Sequence, residues 1–219
     1  MAKEKKAPGD GGGLLSRIEH NWIEIAAAAL LALATIMSAF SAYAASQWSS
    51  SESEQYNKAN AALVESIGLS DKANAELAVD IEMLSNYVNA LMQGNTALAQ
   101  LYVTDAFSDS LKTAFAAWTQ AKANNQPDLP SSPFGMPEYK NKHQEESEAL
   151  KRKSSAYAEK AKDNAKHSNN YILFTVAFAS VLFFAGISTK FNGKGVKVAM
   201  LSMGMVVFVV AAVLVATQP

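Results

Sequence analysis

Three apolar blocks without a single charged side chain decide what this chain can fold into. They cover residues 25–46, 171–189 and 198–217, and none contains Asp, Glu, Lys, Arg or His. Because an α-helix rises about 1.5 Å per residue, about 20 residues cross the hydrocarbon core of a bilayer. Each block therefore predicts one transmembrane helix, and Trp22, a typical interfacial residue, extends the first span to 22–46.

The first block favours a permanent anchor over a cleaved secretory signal. Basic residues precede it and it ends in Ala42-Tyr43-Ala44, which matches a signal cleavage pattern. The block is longer than the apolar region of a signal, which spans about 7 to 15 residues, and Glu19 and Glu24 lie in the flank that a signal keeps basic.

The distribution of basic residues predicts the orientation in the membrane. If all three blocks cross, two basic clusters share one side: Lys3, Lys5, Lys6 and Arg17, and Lys190, Lys194 and Lys197. The positive-inside rule places residues 1–21 and the loop 190–197 in the cytoplasm, and residues 47–170 and the C-terminus outside. We expect a multi-pass protein of the inner, cytoplasmic membrane, with the lipid bilayer as its first partner.

The region 47–170 predicts helix almost throughout. Large apolar residues repeat at steps of 4, 3, 4 and 3 along one seam: Leu77, Ile81, Leu84, Val88 and Leu91. Heptad spacing of this kind is typical of helical bundles and coiled coils. We expect a kink near Gly68, a turn at 94–95 and a second helix over 96–123.

A proline-rich segment, residues 124–137, separates that helix from a third one. Its four prolines cannot continue a helix, whereas Pro137 suits a first turn, so the third helix is expected to begin near Glu138 and to enter the second span. The segment is expected to dock as an extended strap through Pro133, Phe134, Met136, Pro137 and Tyr139. The sequence thus predicts an all-α membrane protein: three transmembrane helices and an elongated extracytoplasmic stalk, built as a three-helix, coiled-coil-like bundle.

The composition argues against several kinds of chemistry. The chain has no cysteine, which removes thiolate nucleophiles and disulfides, and its three histidines have no second ligand at metal-site spacing. A formal net charge of −1 gives no attraction to nucleic acid. We predict a non-enzymatic protein with no cofactor, no metal and no nucleic-acid partner.

One face of the first span carries small residues at helical spacing: Ala28, Ala32, Thr35, Ser38, Ala39 and Ala42. Small residues let helix backbones approach closely, so this face predicts packing, either against the other two spans or against further copies of the chain. The alternative is the lining of a pore, with Thr35 and Ser38 as the constriction and Glu24 at its cytoplasmic mouth.

Four stretches resemble a family of small prokaryotic three-span membrane proteins to which no activity is assigned. They are NWIEIAAAALLALAT at 21–35, SAYAASQW at 41–48, SPFGMPEY at 132–139 and SNNYILFTVAFASVLFFAGISTKF at 168–191. The resemblance covers most of the chain and implies the same architecture, with Trp48 and the strap residues as its distinctive positions. It implies a docking role for the strap and transfers no functional residue.

Together these patterns predict a homo-oligomeric structural or accessory component of the cell envelope that acts through helix–helix contacts. Self-association would use the first span and the heptad seam. The alternative is an oligomeric channel for ions or small solutes with the first span lining the pore.

Overall fold

The computed structural model describes the backbone from Gly13 to Gln218 and the side chains from Trp22 onward. Long helices dominate it, and no strand occurs in this described part of the chain. In chain order the elements are α1 (Gly13–Met92), α2 (Thr96–Leu101), a π-helical turn (Tyr102–Ala106), α3 (Asp109–Ala123), a 3-10 turn (Pro133–Gly135), α4 (Lys142–Ser188) and α5 (Lys194–Ala216). The all-α prediction is confirmed, while the side chains of the predicted cytoplasmic tail, residues 1–21, lie outside the described residues.

Three helices of the described chain, α1, α4 and α5, are long and apolar enough to cross a membrane. They contain the whole of the first apolar block and all but the last residue of the second and third. α1 has 80 residues and α4 has 47, so each continues well beyond its apolar block as an unbroken helix. These features fit a multi-pass membrane protein.

The chain divides into two compact units, of which unit 1 (Met1–Glu54 and Lys160–Pro219) holds the apolar blocks. One core cluster joins all three of its helices and consists of Ala27, Leu30, Ala34, Val181, Ala185 and Leu201. A second contains Ala45, Tyr171, Phe174, Phe178, Ala211 and Val215. A Cβ atom added at Gly204 would lie 3.4 Å from Phe184 Cβ, so the glycine permits close packing of α5 on α4.

Polar contacts in unit 1 fix which helix ends are neighbours. Ser168 Oγ donates to the Ala45 carbonyl at 3.0 Å, and Asn170 Nδ2 donates to Gln218 Oε1 at 3.2 Å. The C-terminal end of the first apolar block, the start of the second and the end of α5 therefore meet at one end of unit 1. This is the arrangement that three successive antiparallel crossings require.

Unit 2 comprises Gln55–Glu159, and its first turn follows the sequence prediction. Gly94 adopts a φ of 70°, which is natural for glycine, and Asn95 Oδ1 accepts the Leu98 amide at 3.0 Å to cap α2. α1 runs as one helix through Gly68 to Met92, and the kink expected at Gly68 stays a prediction.

Two helix boundaries in unit 2 differ from the prediction. The helix expected over 96–123 is interrupted, because Phe107 is extended and Ser108 Oγ accepts the Leu111 amide at 3.1 Å, which starts α3 anew. α4 begins at Lys142 instead of near Glu138, because Asn141 Oδ1 accepts a hydrogen bond from the Gln144 amide at 3.0 Å and so caps the helix there. In both places a local side-chain cap decides the boundary.

Candidate functional site

Within unit 2, α1 packs on α4 through small residues that recur every seven positions. On α1 these are Ala59, Ser66 and Ala73, and on α4 Ser147 and Ser154, all of them buried. Ser154 Oγ donates to the Ala59 carbonyl at 2.8 Å, and Ser147 Oγ donates to the Ser66 carbonyl at 2.8 Å. A hydroxyl can reach the backbone of a neighbouring helix only when the two helices approach closely. We call this surface of α1 the small-residue face.

An aromatic cluster forms the core beneath the strap. Phe107, Leu111 and Phe115 are its buried centre, and Phe134 of the predicted strap and Tyr139, two residues beyond the strap, pack against it. Of the other strap residues, Pro133 is fully buried, Met136 is half-buried and Pro137 is exposed. The strap is further held by Trp118, whose Nε1 donates to the Pro130 carbonyl at 2.8 Å.

Asp80 is a buried carboxylate that ties three elements together. It is only 3% exposed, and its Oδ2 accepts hydrogen bonds from Ser108 Oγ at 2.8 Å and from the Tyr139 hydroxyl at 2.9 Å. The first bond reaches the start of α3 and the second reaches the end of the strap. Burial, together with the hydrogen bond to Asp80, raises the pKa of Tyr139.

A second carboxylate, that of Glu76, contacts residues at the start of α4. Glu76 Oε2 accepts from Asn141 Nδ2 at 2.9 Å, and Glu76 Oε1 lies 2.9 Å from His143 Nδ1. Unlike Asp80, Glu76 is exposed. Two carboxylates one helical turn apart on α1 therefore hold the strap and the helix that follows it.

Large apolar side chains of α1 in unit 2 remain exposed. Six of them are between 40% and 53% exposed and share one heptad register: Tyr56, Leu63, Ile67, Ile81, Val88 and Leu91. We call this row the heptad face. Of the predicted stalk seam, Leu77 and Leu84 are half-buried, whereas Ile81, Val88 and Leu91 belong to this exposed row. The chain's own helices thus cover the small-residue face and leave the bulky one open.

The small residues predicted to form a seam on the first span are also largely uncovered. Ser38 is half-buried. The other five are exposed, namely Ala28, Ala32, Thr35, Ala39 and Ala42. Packing in unit 1 uses a neighbouring stripe instead, which includes Ala27, Leu30 and Ala34. The predicted seam is therefore not the face that packs on the second and third spans, and its role in self-association or in a pore stays a prediction.

Glu24, the predicted residue at a pore mouth, forms an ion pair within unit 1. Its Oε1 lies 3.3 Å from Nζ of Lys197, at the start of α5. A ring of carboxylates attracts cations through unbalanced negative charge, and this pairing reduces that charge. The contact also brings together the two ends that the positive-inside rule assigns to the same side.

An open groove of about 530 Å³ beside the strap is lined by Asn74, Leu77, Tyr139 and Asn141, among others. Among the residues that the structure describes, no three His, Asp or Glu side chains come together in a way that could hold a metal ion.

No protein-family model, curated protein or solved structure matches the chain. No relative therefore supplies a role for the heptad face or the strap, and the family resemblance stays a prediction.

The sequence did not predict the buried polar residues that hydrogen-bond the elements of unit 2 to one another: Ser66, Asp80, Ser147 and Ser154. The signal was present as a seven-residue spacing of small and polar residues. On α1 this spacing relates Ala59, Ser66, Ala73 and Asp80 to one another. On α4 it relates Ser147, Ser154, Ala161 and Ser168. Serine and alanine give a weak apolar signal, so the heptad seam of large side chains dominates the pattern.

Proposed function

We propose that this protein is a non-enzymatic, homo-oligomeric membrane protein, a structural or accessory component of the cell envelope that acts through helix–helix contacts. Its N-terminus lies in the cytoplasm, and unit 2 is the extracytoplasmic helical region. The lipid bilayer and further copies of the chain are its partners.

The supporting observation is the exposed heptad face of α1. Unit 2 lies outside the apolar blocks in sequence, so its surface meets water, where large apolar side chains are costly. Exposed large apolar side chains grouped along one face of a region outside the membrane usually mark a site of association. A row at heptad spacing is the pattern that another helix covers.

In the channel alternative, the row of small residues predicted on the first span, Ala28 to Ala42, lines the lumen of a pore. Thr35 is exposed, as a lumen would need, but its Oγ1 already donates to the Leu31 carbonyl at 2.8 Å. Glu24 is paired with Lys197. The geometry therefore supports contact between helices better than conduction. Recordings from planar bilayers test this, because a conductance that Thr35→Leu abolishes would establish the channel.

Native mass spectrometry of the full chain in lipid nanodiscs tests the proposal. We expect more than one copy per particle for the wild type. Ile81→Glu places a charge on the heptad face and is expected to lower the multi-copy fraction several-fold. Val79→Glu is the matched control, because Val79 is also β-branched, is 54% exposed and lies off the heptad face. A wild-type particle with one copy at every concentration would contradict the proposal.

A further inference from the structure

We propose that two copies of the chain pair in parallel along the heptad face, in a register set by Asn60 and Asn74. This inference rests on the proposed self-association and adds to it the number of copies, their direction and the residues that face each other.

The heptad register assigns two rows of residues to the exposed side of α1. One row, position a, contains Asn60, Ile67, Asn74, Ile81 and Val88, all of them exposed. The other row, position d, contains Tyr56, Leu63, Ser70, Leu77, Leu84 and Leu91. β-Branched residues at a with leucine at d favour two-stranded coiled coils, and asparagine at a is the usual device for fixing their register.

The membrane helix sets the direction of pairing. α1 is continuous from its apolar block to Met92, so copies inserted with the same orientation present this helix in the same direction. In a parallel pair each a residue faces its own counterpart in the partner helix. Asparagine then meets asparagine and isoleucine meets isoleucine along the whole row.

The two asparagines make this register better than its neighbours. A side-chain amide both donates and accepts, so Asn60 and Asn74 can each bond with the same residue of the other copy. A slip by one heptad would place Asn60 opposite Ile67, and Asn74 opposite Ile67 or Ile81. Each slip would bury amides without partners, which is unfavourable.

The size of the exposed surface fits a dimer. The six side chains of the heptad face are 40% to 53% exposed and together present on the order of 500 Å² of apolar surface. A stable interface buries about 800 Å² per partner, of which a little more than half is apolar. Leu77 and Leu84, half-buried at the edge of the face, would be covered further by the second helix.

The chain contains no cysteine, so single-cysteine variants report proximity without background. We would introduce Ile67→Cys, Ile81→Cys and Val88→Cys at position a, with Glu65→Cys, Lys72→Cys and Val79→Cys as exposed controls on the opposite side of α1. After oxidation in native membranes, we expect about five-fold more disulfide-linked dimer at a than at the controls, because a disulfide requires Cα atoms within about 7 Å. Equal crosslinking in both sets overturns the pairing.

Two further measurements separate this inference from the proposed function. If particles hold several copies, and Ala32→Cys or Ala39→Cys in the first span crosslinks while the three a variants do not, self-association stands and the pairing falls. If particles hold one copy, both fall. A wild-type particle with three or more copies overturns the two-stranded assignment, and one with two copies together with crosslinking at a supports it.

Discussion

Two faces of α1 in unit 2 differ in the size of their side chains and in their burial. The small-residue face, with Ala59, Ser66 and Ala73, is covered by the chain itself. The heptad face, with residues such as Ile67 and Ile81, is about half-exposed. The usual expectation is the reverse, since large apolar side chains gain most from burial.

The difference indicates how each face is stabilised. Small residues bring α1 close enough for serine hydroxyls of α4 to bond its backbone carbonyls at 2.8 Å. That contact depends on close fit and would not survive a larger side chain. The heptad face gains by burying apolar area, which a partner helix of similar spacing can supply. One face stabilises the fold, and the other is the face that we propose for association.

Enlarging a residue that contacts the small-residue face is expected to have the largest effect. Ser154→Leu removes the bond to the Ala59 carbonyl and forces a larger side chain between α1 and α4, which we expect to cost about 2–3 kcal/mol. Ser155→Leu is the control, because Ser155 is exposed and bonds only its own helix, at the Lys151 carbonyl. Its effect should stay within about 0.5 kcal/mol. Thermal unfolding followed by circular dichroism compares them, and equal losses would show that the face is not closely packed.

Removing the buried carboxylate of α1, Asp80, is expected to have the next largest effect on stability. Asp80→Ala leaves the hydroxyls of Ser108 and Tyr139 without their acceptor, which we expect to cost about 2 kcal/mol. Asp80→Asn keeps an acceptor oxygen and should lose less. Limited proteolysis of the strap is the direct measurement, because the strap is the element that the bond to Tyr139 holds. Unchanged cleavage in Asp80→Ala would mean that the aromatic cluster alone keeps the strap in place.

Much of the fold could be read from the sequence because its causes are local. An uncharged block long enough to cross a bilayer can hardly be anything but an apolar helix, and a glycine followed by asparagine marked the turn at 94–95. The strap was also visible, because prolines exclude helix. These signals act within a few residues and need no knowledge of what packs against them.

The sequence does not predict in the same way which face of α1 packs on α4, namely the small-residue face. Several faces of one helix share a seven-residue period, and the sequence does not say which of them meets α4. The heptad seam has the larger side chains and therefore predicts the packing face, although contacts of Ser66 and Ser154 decide the packing. The sequence does not indicate that Asp80 is buried, because a charged residue in a helix is usually solvated, and only the structure shows that Tyr139 contacts it.

High pH is expected to loosen the strap by a moderate amount. The pKa of Tyr139 is raised above its ordinary value of 10.0 by burial and by Asp80, so the folded state holds this proton more tightly than the unfolded state. The resulting stability is complete below pH 10 and is lost progressively as the pH rises through the folded-state pKa. Ultraviolet absorbance of the phenolate, compared between the wild type and Tyr139→Phe, should show one tyrosine titrating late. An ordinary titration of Tyr139 would mean that its bond to Asp80 is not maintained in solution.

Truncation on the heptad face is expected to have the smallest effect on the fold of a single chain, and it tests the comparison most directly. Ile81 is 47% exposed, so Ile81→Ala should change the unfolding temperature little in dilute, dispersed protein. At high protein concentration we expect the wild type to gain stability from the proposed association and the variant to gain less, because binding to the folded state raises its stability by mass action. Val79→Ala, on the opposite side of the helix, should behave like the wild type at both concentrations. If Ile81→Ala instead lowers the unfolding temperature equally at every concentration, the heptad face contributes to the fold of the single chain, and the division of labour between the two faces of α1 is wrong.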